Sequence, residues 1–163
     1  MKRRLILMRH AKSAWDTDAP SDHARPLNKR GRRDAPRIGQ RLSDLGWMPE
    51  LVLSSDAART VETWERMSLS LEGKRVRFLP DLYGAGVATV RTELARVPDD
   101  VASVLLLGHN PGWEEVLAYL TTTAARMTTA NAALLEVDAD SWAEAAIAES
   151  AWRLERLLRP KEL

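Results

Sequence analysis

Two short apolar runs, residues 5–8 and 101–107, each stop at a histidine: the first at Arg9-His10, the second at Gly108-His109. Apolar runs this brief, bounded by polar residues, read as buried strands. Longer amphipathic stretches alternate with them. That alternation predicts a three-layer α/β/α sandwich, a largely parallel central sheet covered by helices on both faces. In open α/β sheets the binding crevice forms outside the carboxyl ends of the strands. A histidine at a strand end is therefore placed where chemistry happens.

The first strand is expected over residues 4–9, followed by a loop over 11–27 with Pro20, Ser21, Asp22 and Pro26 as turn formers. Asn28 can cap a helix running to about Leu45, with Ile38, Leu42 and Leu45 on its apolar face, Pro36 kinking it and Gly46 stopping it. A second strand is expected over 50–54, and a helix over 57–71 that Ser55 or Asp56 could cap. A third strand follows over 75–79, then a helix over 87–97 and the strand 101–107. Asn110 and Pro111 suit the N-cap and first position of the next helix. Strands over 132–137 and 152–158, with a short helix within 140–149, complete the chain. No repeat or low-complexity linker divides its 163 residues, which read as a single domain.

A net charge of +1, from 24 basic and 23 acidic residues, is too balanced for a generic nucleic-acid or polybasic membrane-binding protein. The distribution is uneven. Residues 1–80 hold 17 Lys/Arg against 10 Asp/Glu, and residues 81–163 hold 7 against 13, so an anion would sit against the first half. With no cysteine, disulfide scaffolds, thiolate zinc sites and cysteine nucleophiles are excluded. The three histidines lack metal-ligand spacing, so neither a metal nor another cofactor is expected. The apolar run after Lys2, Arg3 and Arg4 is too short for a signal peptide or a membrane span, which predicts a cytoplasmic protein.

Three places put reactive or cationic side chains just past predicted strands: Arg9-His10, Arg59 after Leu53-Ser54-Ser55-Asp56-Ala57-Ala58, and His109 in Gly108-His109-Asn110-Pro111-Gly112. Two arginines, two histidines and helix N-termini around one point would hold a phosphoryl dianion, since guanidinium groups bind its oxygens bidentately. Neighbouring guanidinium groups also disfavour the imidazolium form, leaving a neutral ring nitrogen able to attack phosphorus.

These residues resemble the histidine phosphatase, or phosphoglycerate-mutase-like, superfamily, and within it the small SixA-like phosphohistidine phosphatases. The resemblance is carried in order by Arg9-His10-Ala11-Lys12-Ser13, Arg25-Pro26-Leu27 with Gly31, Ser54-Ser55 with Arg59 and Thr63, and Gly108-His109-Asn110-Pro111-Gly112. The tail Arg159-Pro160-Lys161-Glu162-Leu163 extends it across nearly the whole chain. It implies that His10 becomes a covalent phosphohistidine which water hydrolyses, while Arg9, Arg59 and His109 hold the phosphoryl oxygens. Asp16 aligns with a phosphate-contacting asparagine of the family and Lys12 with a glutamate of the same motif. Arg25 and Asn110 join them as candidate contacts.

The chain departs from the family where a glutamate proton donor is common after the third strand. The stretch reads Leu79-Pro80-Asp81-Leu82-Tyr83-Gly84, with Gly84 at the glutamate position. Expelling an alkoxide needs a proton donor worth roughly 10²–10⁴-fold. Imidazole leaves more easily, so the substitution favours phosphohistidine on a protein over alkyl phosphates. Asp16, Asp18, Asp22 and Asp81 are the remaining acid candidates. The chain length leaves little room for a lid beyond loop 11–27, which suits an open site. A broad small-molecule phosphomonoesterase and a non-catalytic phosphate- or phosphoprotein-binding module stand as alternatives, and the residues say nothing about oligomeric state.

Other features take plainer readings. His23 is expected as an exposed loop residue at the rim, and Arg25 divides evenly between phosphate contact and a structural ion pair. Lys29-Arg30-Gly31-Arg32-Arg33, lacking interleaved aromatics, reads as a solvated helix face, and the other basic residues as surface. Ser54 and Ser55 read as turn and cap residues. Most of the six tryptophans belong to the core, with Trp15 and Trp113 candidates to border the pocket.

Overall fold

A computed structural model describes residues 1–69 and 75–163. Six strands form one sheet in the order β3-β2-β4-β1-β5-β6. They are β1 (Lys2–Arg9), β2 (Leu51–Ser55), β3 (Arg75–Leu79), β4 (Ser103–Gly108), β5 (Ala132–Asp138) and β6 (Arg153–Leu158). β3, β2, β4 and β1 pair in parallel, whereas β5 runs antiparallel to both neighbours. The sheet is thus largely parallel, as expected, with antiparallel pairing confined to one side.

Five helices cover it: α1 (Lys29–Asp44), α2 (Ala58–Met67), α3 (Val87–Ala95), α4 (Gly112–Thr121) and α5 (Trp142–Ala146). The alternation of β1 decides the layering. Ile6 and Met8 join Ile38 and Leu42 of α1 and Trp64 and Met67 of α2 in one core. Leu5 and Leu7 join residues of α3, α4 and α5 in the other. Leu5 through Met8 are wholly inaccessible to solvent, each contributing about 1.5–3 kcal/mol by leaving water.

The expected elements appear with ends shifted by a few residues, and β3 where it was read. Asn28 caps α1, its side chain accepting from Gly31 N–H, and Gly46 follows the helix in a left-handed conformation (φ +74°). Pro36 lies inside the helix and Leu45 is only half-buried at its end. α2 is described only to Met67, and the expected continuation to Leu71 enters residues outside the described ones. Two caps differ from expectation. Neither Ser55 nor Asp56 caps α2, whose first residue is preceded by Ala57 without a side-chain cap. Asn110 does not cap α4 either: Pro111 takes the N-cap position, Asn110 Nδ2 donates to Met127 O at 2.7 Å, and its Oδ1 accepts no helical N–H.

Arg3 overturns the reading of every other basic residue as surface. It is buried, and its guanidinium donates to the carbonyl oxygens of Asp99, Val101, Ala139 and Asp140 at 2.7–3.3 Å. A buried cation is tolerated when its donors are all used. The α1 run does behave as a solvated face: Arg30, Arg33 and Arg37 surround Asp34 at 3.4–3.6 Å, and Arg32 pairs with Glu62 at 2.9 Å.

Gly31 sets how closely α1 approaches the segment after His10. A Cβ there would lie 2.2 Å from Lys12 O, and backbone cannot yield cheaply. Gly31→Ala is expected to destabilise the fold by about 1–3 kcal/mol through overpacking. Denaturant unfolding would show it, and an unchanged midpoint would mean the segment moves freely.

Candidate active site

Parallel register brings the strand ends together. Arg9 of β1 lies opposite Gly108 of β4, and His10 N–H donates to Gly108 O at 3.0 Å. Ser54 of β2 lies opposite Leu107. His10, Ser55 and His109 therefore emerge along one edge of the sheet, and α2 adds Arg59 from its first turn. The His10 and His109 rings stand 5.2 Å apart between centroids.

Hydrogen bonds set the state of each ring. His10 Nδ1 lies 2.6 Å from Ala11 O. A carbonyl only accepts, so Nδ1 carries the hydrogen and a neutral His10 keeps its lone pair on Nε2. His109 Nε2 lies 2.8 Å from Ser55 Oγ, which also accepts from Ala57 N–H at 3.2 Å. The arrangement that uses the hydroxyl hydrogen has Ser55 donating to Nε2, leaving Nδ1–H on His109 as a donor. Ser55 is thus a positioning residue for His109, beyond the turn and cap role read from sequence.

Both imidazoles are held neutral. Burial lowers His10 to about 3, and the nearby His109, Arg59 and Arg9 act in the same direction against the Ala11 hydrogen bond. Burial, then Arg59, lowers His109 to about 4. Desolvation outweighs the guanidinium groups that sequence reasoning had placed first.

Among the described residues, four buried side-chain polar atoms lack a partner: Arg9 Nε, Arg59 Nε, His109 Nδ1 and Asn110 Oδ1. All four belong to residues singled out from sequence, and three can donate. Buried polar groups are nearly always paired. A surplus of unpaired donors gathered on one cluster is what an oxyanion would satisfy. Arg9 Nη1 and Asn110 Nδ2 both donate to Met127 O, so the loop preceding β5 orients two members of the cluster.

Arg59 donates to Asp22 O at 2.9 Å and pairs with its carboxylate at 3.2 Å. Asp22 also accepts from the Tyr83 hydroxyl and pairs with Arg25 at 3.0 Å. These partners, Tyr83 first, hold the carboxyl well below the usual carboxylate range. Asp22 is therefore an anion and a poor proton donor, and Tyr83, whose hydroxyl is raised mainly by that bond, is no better.

The outer candidates separate. Arg25 is buried and spent on Asp22, Ser13 Oγ and Ala14 O, with Trp15 stacked at 3.7 Å; the ion-pair reading describes it. Asp16 is exposed with no side-chain partner among the described residues, and Asp81 is also exposed. Lys12 is half-buried, and its backbone carbonyl is taken by Asn28 N–H at the start of α1. Trp113 is wholly buried beneath Gly108, not at the pocket, and its Nε1 donates to Leu106 O. A cleft of about 140 Å³ opens beside His109, lined in part by Tyr83, Gly84, Asn110 and Glu115. A Cβ at Gly84 would meet no atom within 4 Å, so the position of the missing glutamate faces open space. Tyr83 escaped sequence reasoning because its partner Asp22 lies 61 residues away.

Comparison with known proteins gives a consistent picture. The family model for the histidine phosphatase superfamily (branch 1) matches residues 5–84. An uncharacterised chloroplastic protein of Arabidopsis thaliana is 40% identical over 98% of this chain and 79% of its own length. The structure of SixA, a candidate phosphohistidine phosphatase from Nakamurella multipartitia, superposes with a TM-score of 0.87 at 31% identity, covering 98% of this chain and 97% of that one. The protein histidine phosphatase SixA complexed with tungstate has the same fold, with a TM-score of 0.78 at 24% identity over 99% of both chains. Among the described residues no helix is long and apolar enough to cross a membrane, and no group of three or more His, Cys, Asp or Glu side chains is arranged to hold a metal.

The depressed histidines link the site to stability. As pH falls below about 6.5 an unfolded chain protonates both rings, whereas the folded chain resists until about 4 for His109 and about 3 for His10. The unfolded state then binds more protons, so stability rises with pH across this window and falls on acidification. Denaturant titrations between about pH 7 and pH 4 should show the decline, and His10→Gln should flatten part of it. An unaltered slope in the variant would show that His10 is not held neutral.

Proposed function

The chain belongs to the histidine phosphatase superfamily, and from that premise we propose that it is a phosphatase acting through a phosphohistidine on His10, with phosphohistidine borne by a protein as its substrate class. The observation that carries this reading is the pairing of a free His10 Nε2 with buried, unpartnered donors on Arg9, Arg59 and His109. In the first step Nε2 attacks phosphorus and the bond to the leaving group breaks. Arg9, Arg59 and His109 Nδ1–H hold the phosphoryl oxygens as charge builds on them. In the second step water attacks the phosphohistidine, releasing phosphate and restoring His10. Neither step calls for a metal. Asn110 adjoins the same cluster, where its Oδ1 accepts only from a protonated phosphoryl oxygen, while Lys12, Arg25 and Asp16 serve the rim.

The substrate class follows from the leaving group. Gly84 supplies no acid, and Asp22, the carboxylate paired with Arg59, is held ionised. A leaving imidazole is served by a weaker acid than an alkoxide is, so a donor other than a carboxylic acid suffices for it.

His10→Ala should abolish turnover and the incorporation of acid-labile, base-stable phosphate together. Persistent labelling in that variant would remove the nucleophile assignment. Arg59→Ala should lower kcat by about 10²–10³-fold, the cost typical of losing one electrostatic group. Comparable rates on phosphohistidine and an alkyl phosphate would favour the broad phosphomonoesterase, and binding without turnover the non-catalytic module.

A further inference from the structure

His23 and Asp56, 33 residues apart in sequence, form a hydrogen-bonded pair with 2.8 Å between His23 Nε2 and Asp56 Oδ1. The pair is fixed in place. His23 O accepts from Ala58 N–H at the start of α2, one residue before Arg59. The His23 ring meets Tyr83 edge-on at 5.0 Å, and Tyr83 meets His109 edge-on at 5.4 Å. His23 is near enough for its charge to be felt at His109.

Exposure separates the pair from the phosphoryl cluster. The His10 and His109 residues are 6% and 8% exposed, whereas the side chain of His23 is 45% exposed and that of Asp56 31%. A phosphoryl group seated against His10 leaves the rest of the substrate toward solvent, and His23 packs on Tyr83, which lines the cleft beside His109. Nε2–H of His23 is committed to a carboxylate, and Nδ1 has no protein partner among the described residues. A histidine oriented through one nitrogen by a carboxylate, with the other free, is the usual build of an acid/base catalyst.

Building on the phosphatase reading, we propose that His23, positioned by Asp56, is the proton donor to the leaving group and then the base for hydrolysis, in place of the glutamate absent at Gly84. In the first step the P–Nε2(His10) bond forms, the bond from phosphorus to the leaving atom breaks, and that atom takes the Nδ1 proton of the His23 imidazolium. His23 is left neutral. In the second step the water oxygen bonds to phosphorus, the P–N bond breaks, and the water proton passes to His23 Nδ1. The cycle closes with protons and charges balanced.

The test is the rate of phosphoenzyme formation in single turnover with phenyl phosphate, whose leaving group needs a proton, and p-nitrophenyl phosphate, whose leaving group does not. His23→Gln should slow phenyl phosphate by about 10²-fold or more, the scale of a lost acid, and p-nitrophenyl phosphate by only a few-fold. Asp56→Asn should move both rates in the same directions by less. Imidazole added to His23→Ala should restore part of the phenyl phosphate rate. An equal loss on both esters, or no loss, would overturn the assignment while leaving His10 catalysis standing. Absence of phosphoenzyme in the unmutated protein would overturn the phosphatase reading, and the role of His23 with it.

Discussion

The pairing of β1 with β4, Arg9 opposite Gly108, is the constraint on which the rest of the site depends. It sets His10 and His109 at one height on the sheet. Parallel pairing of β2 with β4 adds Ser55 at the same height, and Ser55 then fixes the His109 ring. A one-residue slip of β1 would exchange the two core faces, moving Ile6 and Met8 into the layer of Leu5 and Leu7. Burial of all four side chains therefore protects the register, and register protects the distance between the two imidazoles. Core packing and the geometry of the candidate site are here a single requirement.

The strands were legible because short apolar runs ended by polar residues have few other readings, and the candidate cluster because Arg9, His10 and His109 follow those runs directly. What sequence misjudged was the use of particular polar groups. Asn28 and Asn110 look alike as caps, yet only Asn28 Oδ1 accepts a helical N–H: Met127 O turns the Asn110 amide through Nδ2, and Asn110 Oδ1 is left unpaired. Ser55 looked like a cap until His109, 54 residues away, took its hydroxyl. Arg25 and Arg59 both sit near the site, and only the fold shows Arg25 saturated by local partners while Arg59 Nε is left over. For Asn110 and Ser55 a contact beyond the local segment decided what a locally plausible side chain does.

Loop 11–27 follows the same logic. Ser13 bridges to Leu27, Ala14 N–H donates to Pro26 O, and Arg25 crosses back to Ser13 and Ala14. The loop is fastened across its base by its own polar groups, and its link to the far rim is the Asp22–Tyr83 hydrogen bond. Such a rim suits a substrate whose bulk stays outside, as a phosphorylated protein surface would.

Asp22 raises an energetic question, since a carboxylate already engages the arginine proposed to hold the phosphoryl group. Its side chain is 52% exposed, and ion pairs in contact with solvent contribute only about 0–1 kcal/mol. A phosphoryl dianion seated against His10 would meet Arg9, Arg59 and His109 where solvent is largely excluded, and charge-assisted bonds there are worth considerably more. Asp22 also binds Arg59 through its backbone carbonyl, so the guanidinium stays oriented even when the carboxylate yields. Arg59 can thus be aimed without being neutralised: Asp22 holds two of its nitrogens from the rim, and Nε is left for the phosphoryl oxygen.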